Sequence, residues 1–220
     1  MEINPKYNYA FLNIGDCKYN LLDFKGAIEE HSKSIDHNPK DVMAYMSREY
    51  TKQNLKYFEV AVKDFSIAIQ FKPNPTDAYI SRGVAKNHIE NYIEAIIDFT
   101  KAIKINPVSE AYYNRGNSKE AIKYFKGAKS DYNNAIGLNP KNFKAFLNRG
   151  LTKVELHDEK GALNDFSKAI KLNPVYGEAF YNRGIIKIGL CMKDSGCDDL
   201  KKSEELGQNI TITVSQKDCQ

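Results

Sequence analysis

The 220-residue chain has no tryptophan, four cysteines and no apolar run of eighteen residues. The last absence argues against a transmembrane helix, which needs about twenty consecutive apolar residues. None of Cys17, Cys191, Cys197 and Cys219 stands in a C-x-x-C pair, so no zinc site is expected. Cys17 reads as a small buried apolar residue. Cys197 and Cys219 meet if the tail folds back, and a disulfide there would point to an oxidising compartment; otherwise the cytoplasm is expected. The net charge of +4 is mild and both signs are interspersed, without the clustered basic stripe of a nucleic-acid-binding protein. There is no low-complexity run, no phosphate loop and no grouping of nucleophile, base and orienting residue. These absences point away from an enzyme, a membrane protein and a nucleic-acid binder, and no cofactor is expected.

What the chain does have is a period. Pro5, Pro39, Pro73, Pro107, Pro140 and Pro174 are separated by 34, 34, 34, 33 and 34 residues. A fixed period of this length marks a solenoid of stacked units. With the proline as position thirty-two, the units are 8–41, 42–75, 76–108, 109–142 and 143–176. A sixth, 177–206, lacks the proline and has a polar end, as a terminal cap requires. Met1–Tyr7 reads as the end of a truncated preceding repeat, because Ile3-Asn4-Pro5 matches Ile105-Asn106-Pro107. Residues 207–220 form a tail whose Ile210, Ile212 and Val214 alternate with threonines. One residue is missing between Pro107 and Gly116, which shortens one turn.

Each unit reads as two short helices. Position three is Ala10, Ala44, Ala78, Ala111, Ala145 and Ala179; position four is aromatic in every copy. Position eight is Gly15, Gly83, Gly116, Gly150 and Gly184, with Glu49 in the second unit. Position twenty is alanine until Gly196. Small residues at eight and twenty let two helix backbones approach closely, and aromatics at four and twenty-four fill the space around that contact. Proline ends the second helix. A carboxylate at Glu49 conflicts with a tight crossing unless the helices separate or it reaches a lysine, an arginine or solvent. The first unit, with His31 at twenty-four and His37 at thirty, reads as solvated or loosely packed.

Two charged columns travel together. Position seven is Arg48, Arg82, Arg115, Arg149 and Arg183; position twenty-three is Asp64, Asp98, Asp131, Asp165 and Asp199. The unit with Ile14 instead of arginine also has Glu30 instead of aspartate. An internal ladder of bidentate ion pairs is the expectation. Lysine at position eleven of every unit is expected to pack its stem and keep its ammonium in water.

The period and the order aromatic, glycine, alanine, aromatic, alanine, proline resemble the tetratricopeptide repeat family over roughly residues 1–206. The resemblance implies an all-α fold, a right-handed superhelical solenoid of antiparallel helix pairs whose first helices line a concave groove. It implies a non-enzymatic scaffold that binds a peptide or protein there. Position six lies on that groove and is Asn114, Asn148 and Asn182 in units four to six. An amide offers a donor and an acceptor that match a peptide unit, so these three are candidates for backbone contacts. Tyr113, Leu147, Leu151, Tyr181 and Ile185 are candidates for side-chain pockets, with Lys144 at the edge. The carboxylate clamp known in the family needs lysines and arginine where this chain has Tyr113, Glu178 and Asn182, and is rejected. The alternative is a structural or self-association module, a homodimer through an open N-terminal edge.

Overall fold

The computed structural model describes residues 5–71 and 75–208. Every regular element among them is a helix. Residues up to Pro107 form one compact unit and residues from Val108 form a second. The first half contains α1 (Pro5–Asn20), α2 (Phe24–His37), α3 (Val42–Asn54), α4 (Phe58–Phe71), α5 (Thr76–His88) and α6 (Tyr92–Ile105). The second contains α7 (Ser109–Ala121), α8 (Phe125–Leu138), α9 (Phe143–Glu155), α10 (Glu159–Leu172), α11 (Gly177–Gly189) and α12 (Lys193–Glu205). Within each half, consecutive helices pack on one another as three hairpins in a row. The boundary falls where the connection is residues 106–108, against 139–142 and 173–176 inside the second half. Helix α1 begins at Pro5, so residues 5–7 form its opening turn. Proline is tolerated there because the first-turn N–H groups have no intrahelical acceptor. The tail residues Ile210, Ile212, Val214 and Cys219 lie outside the described residues.

The glycine column works as expected. A Cβ on Gly83, Gly116 or Gly150 would stand 2.7, 2.6 or 2.5 Å from a ring carbon of Phe99, Tyr132 or Phe166. The aromatic ring at position twenty-four therefore fills the space that a side chain at position eight would take. His31 plays the ring's part against Gly15 and is fully buried. The first repeat is thus closely packed at this point, contrary to the loose packing expected from its histidines. Burial holds His31 below the ordinary histidine range, and its Nε2 stands 3.1 Å from Asp16 Oδ1. Cys17 is free and exposed, not buried. Its counterparts at position ten, Thr51, Ala85 and Thr152, are buried because a preceding repeat covers that side of the first helix. No described repeat covers Cys17.

The turn inside each hairpin has a signature that no side chain announces. Leu22, Lys56, Glu90, Lys123, His157 and Cys191 have φ between 58° and 63°. All six hold position fifteen. The next residue's N–H reaches back to the carbonyl of the position-eleven lysine, at 2.9 Å for Asp23 to Lys18 and 2.8 Å for Asp158 to Lys153. This is a Schellman cap, which usually places glycine at the left-handed residue. A side chain there costs roughly 1–2 kcal/mol, partly offset by glycine's freedom in the unfolded chain. Lys123→Gly and His157→Gly, both on exposed residues, are each expected to stabilise the protein by about 0.5–1 kcal/mol, read as a higher urea midpoint. A lower midpoint for both would contradict the backbone argument.

Candidate functional site

The charged columns form buried triads. In the second half Asp131, Asp165 and Asp199 each accept Arg Nε on Oδ2 at 2.8, 2.9 and 2.7 Å from Arg115, Arg149 and Arg183. The same Oδ2 lies 2.7, 2.8 and 2.7 Å from Nζ of Lys119, Lys153 and Lys187. The position-eleven ammonium is therefore bound to the aspartate, where water had been expected. A carboxylate has acceptor sites beyond the two that one guanidinium fills, and burial favours filling them with a second cation. Each guanidinium also lies over the position-four ring, at 5.5 Å for Tyr112, 5.3 Å for Phe146 and 5.6 Å for Phe180. Arg149 Nη1 donates to Asn133 Oδ1 at 2.8 Å and Arg183 Nη1 to Ser167 Oγ at 3.1 Å, which ties each of these repeats to the one before. The first half repeats the pattern with Arg48–Asp64–Lys52 and Arg82–Asp98–Lys86. These groups are structural; their valences are spent inside the protein.

Glu49 reaches a lysine, but the contact only partly offsets its burial. It is fully buried beside the Asp64 carboxylate, with Lys52 Nζ 3.3 Å away, and neither of its oxygens accepts a hydrogen bond. Burial pushes its carboxyl up to about 8, with neighbouring Asp64 adding to the rise and Lys52 opposing it.

The groove candidates fall on α7, α9 and α11. Asn148 Nδ2 donates to Asn117 Oδ1 at 2.9 Å and to Tyr113 Oη at 3.3 Å. Tyr132 Oη stands 2.8 Å from both Asn117 Oδ1 and Glu120 Oε2, sharing its proton between them. Thr152 Oγ1 lies 3.2 Å from Glu120 Oε1 and donates to the Asn148 carbonyl at 2.8 Å. Burial pushes up the Tyr113, Tyr132 and Glu120 protons alike. On α11, Asn182 Nδ2 donates to the Glu178 carbonyl at 2.8 Å, and Tyr176 Oη donates to Glu178 Oε2 at 3.0 Å. Burial, then the Glu178 charge, raises the Tyr176 phenol.

The structure thus brings Tyr113 and Asn148 into one network. Asn114, Asn182, Tyr181 and Ile185 are half-buried on the same set of first helices, and Lys144 is exposed. Leu151 is partly buried against a core in which Leu147, 1% exposed, is a full member with Phe146, Ala162 and Phe166. Glu120, Tyr132, Thr152 and Tyr176 were missed by the sequence reading. Two signals existed: Tyr132 carries a hydroxyl where Phe65, Phe99 and Phe166 do not, and Glu120 is acidic where Val154 and Ile188 are apolar.

Residues 76–108 and 109–142 each match the tetratricopeptide repeat. Residues 76–142 carry two tandem tetratricopeptide repeats. Such repeats typically serve as non-catalytic protein-interaction scaffolds. No curated protein matches the sequence. Among solved structures, PilW, a widely conserved type IV pilus biogenesis factor, superposes with a TM-score of 0.77 at 18% identity, over 87% of this chain and 90% of that one. A tetratricopeptide repeat protein from Parabacteroides merdae gives 0.70 at 19% identity, over 98% and 84%. YrrB, described as a TPR protein with an unusual peptide-binding site, gives 0.66 at 21% identity, over 80% and 92%. At these identities the likeness establishes the shared fold. Among the described residues, no helix is long and apolar enough to cross a membrane.

Proposed function

We propose that the face formed by α7, α9 and α11 binds an extended segment of a partner protein. The observation that carries this is the network around Asn148. Both of its amide hydrogens point into the protein, to Asn117 and Tyr113, so its rotamer is fixed and its Oδ1 is left to accept. Fixing a recognition group before binding lowers the ordering cost of association. Asn148 therefore serves as an acceptor for a ligand backbone N–H, a narrower role than the donor-and-acceptor pair expected from its composition. Asn182, with one amide hydrogen tied to Glu178, keeps a donor and an acceptor. Asn114 extends the row by one repeat. Tyr113, Leu151, Tyr181 and Ile185 supply apolar contacts between these amides, Lys144 marks the rim, and buried Leu147 supports the floor.

The test is selection of binding peptides from a random twelve-residue display library on the full chain. Binding of the selected peptides is then compared with an Asn114→Ala, Asn148→Ala, Asn182→Ala variant of equal helicity. A loss of tenfold or more in the variant is expected. Equal affinity for both proteins would remove the face from the mechanism. A second reading, self-association, draws on the N-terminal repeats, where Tyr9, Leu21 and Leu22 of the first are 63, 79 and 74% exposed and Met43 of the second is 61% exposed. A mass that doubles with concentration, and returns to monomer in Tyr9→Glu, would favour it.

A further inference from the structure

We infer that a pocket in the first half, between the α3–α4 turn and the end of α5, binds a carboxylate carried on an aromatic group. It shares no residue with the α7–α9–α11 face, and neither reading depends on the other.

The pocket has a volume of about 410 Å³ and is lined by Tyr50, Gln53 and Asn54 of α3, Lys56 of the turn, Phe58 of α4 and His88 of α5. In the fifth repeat, positions nine and twelve are Leu151 and Val154, which pack against that repeat's core. In the second repeat they are Tyr50 and Gln53. Gln53 is half-buried and its Nε2 is shut off from solvent, with no hydrogen-bond partner for that nitrogen among the described residues. A buried donor without an acceptor destabilises the folded protein. Val154 shows that an apolar side chain serves the fold at this position, so the amide calls for another explanation. A water takes up only about 30 Å³, and it would answer the amide without using the rings around it.

Those rings are held in place. Phe58 and His88 stack at 4.2 Å with 11° between their planes. Tyr50 meets Phe65 edge-on at 6.2 Å, and its hydroxyl stands 3.0 Å from Ser81 Oγ. Asn54 Nδ2 donates to the Tyr50 carbonyl at 2.8 Å and to Tyr19 Oη at 3.1 Å. A flat ligand therefore meets a surface that is ordered before it arrives, and ring-on-ring contact favours an aromatic one. The polar groups choose its charge. No aspartate or glutamate lines the pocket, while Lys56 is exposed and the Gln53 amide and His88 ring bring N–H donors. A carboxylate is flat and offers two acceptor oxygens, one for the Gln53 amide and one for the Lys56 ammonium. A phosphate is better matched by a guanidinium fork, and no arginine lines the pocket.

Indole-3-acetate is the probe, because the chain has no tryptophan and indole fluorescence then reports on the ligand alone. The full chain is titrated with it, with indole-3-acetamide, and with a short peptide ending in phenylalanine as free acid and as amide. Each acid that binds is expected to do so about tenfold more tightly than its amide, with the advantage shrinking as salt rises. Lys56→Gln, on an exposed residue, should bring indole-3-acetate and its amide to the same affinity. Gln53→Leu, which puts an apolar residue where the fifth repeat has Val154, should weaken the acid about tenfold without lowering the urea midpoint. A free-acid peptide that displaces indole-3-acetate would support the inference and assign the pocket to the chain end of a partner. Binding of indole-3-acetate without displacement by the peptide would support it for small aromatic acids. Equal affinity for acid and amide, an affinity unchanged in Gln53→Leu, or no binding at about 10 mM probe would overturn it. Peptides selected on the α7–α9–α11 face should bind both variants as they bind the parent, so failure of either reading leaves the other standing.

Discussion

Replacing Asp165 by alanine is expected to cost about 3 kcal/mol, because it removes the shared anion of a buried triad. Asp165 is 3% exposed and accepts two bonds from Arg149 and one from Lys153. Without it, two cations remain side by side with no counter-charge. Each keeps 17% exposure of its side chain, so part of the loss is recovered by turning towards water, which places the cost at the lower end of the range for broken buried pairs. Arg149 also holds Asn133 of the preceding repeat. A displaced guanidinium therefore weakens the joint between repeats as well as the hairpin itself, and in a stacked array such joints carry cooperativity. Lys153→Met, which keeps the stem and leaves Arg149 in place, should cost about 1 kcal/mol. Urea unfolding of the full chain separates the cases. An Asp165→Ala protein within 1 kcal/mol of the parent would show that the triad contributes register and little stability.

The arginine–aspartate pairing was legible because six copies in one chain serve as a comparison: where Ile14 replaces arginine, Glu30 replaces aspartate. The lysine's share was not, since a long basic side chain reads as surface and only geometry shows a carboxylate oxygen accepting from two cations. Gly83 and Phe99 were legible as partners in close packing because their small and large volumes alternate at fixed positions. Cys17 misled for the opposite reason. It holds the same position as buried Thr51, yet burial there belongs to the neighbouring repeat and not to the position. The left-handed residues of the turns, as different as Leu22, Glu90 and His157, share a backbone constraint that leaves no mark in side-chain type. At the candidate site, Asn148 could be chosen from the sequence, but its hydrogen-bond polarity could not. That depends on Tyr132 being treated as a hydroxyl donor and not only as a ring that fills space.

Glu49→Gln is expected to leave stability nearly unchanged below about pH 4.5 and to gain on the parent as pH rises, by about 3 kcal/mol at pH 8. The sign follows from linkage. The folded protein holds the Glu49 proton up to about 8, against an ordinary 4.5. Its contribution is therefore fully present below the ordinary value and is lost as pH climbs through the folded one. Across that window each pH unit costs about 1.4 kcal/mol, and relaxation around the site absorbs part of the sum. Glutamine keeps the shape and cannot ionise. Lys52 is not stranded by the change, since Asp64 Oδ2 lies 2.7 Å from its ammonium. Glu49→Gly goes further towards the rule of the other repeats and lets buried Phe65 settle into the crossing, at a helix cost of about 1 kcal/mol. Comparing urea midpoints of parent and Glu49→Gln at pH 5, 6.5 and 8 isolates this carboxyl, because all other titrations are common to both proteins. A difference that stays flat with pH would mean that Glu49 ionises freely in the folded state. A difference that grows would make the α3–α4 hairpin the place where the first half opens most readily above neutral pH, since one buried carboxylate there resists the packing that glycine permits elsewhere.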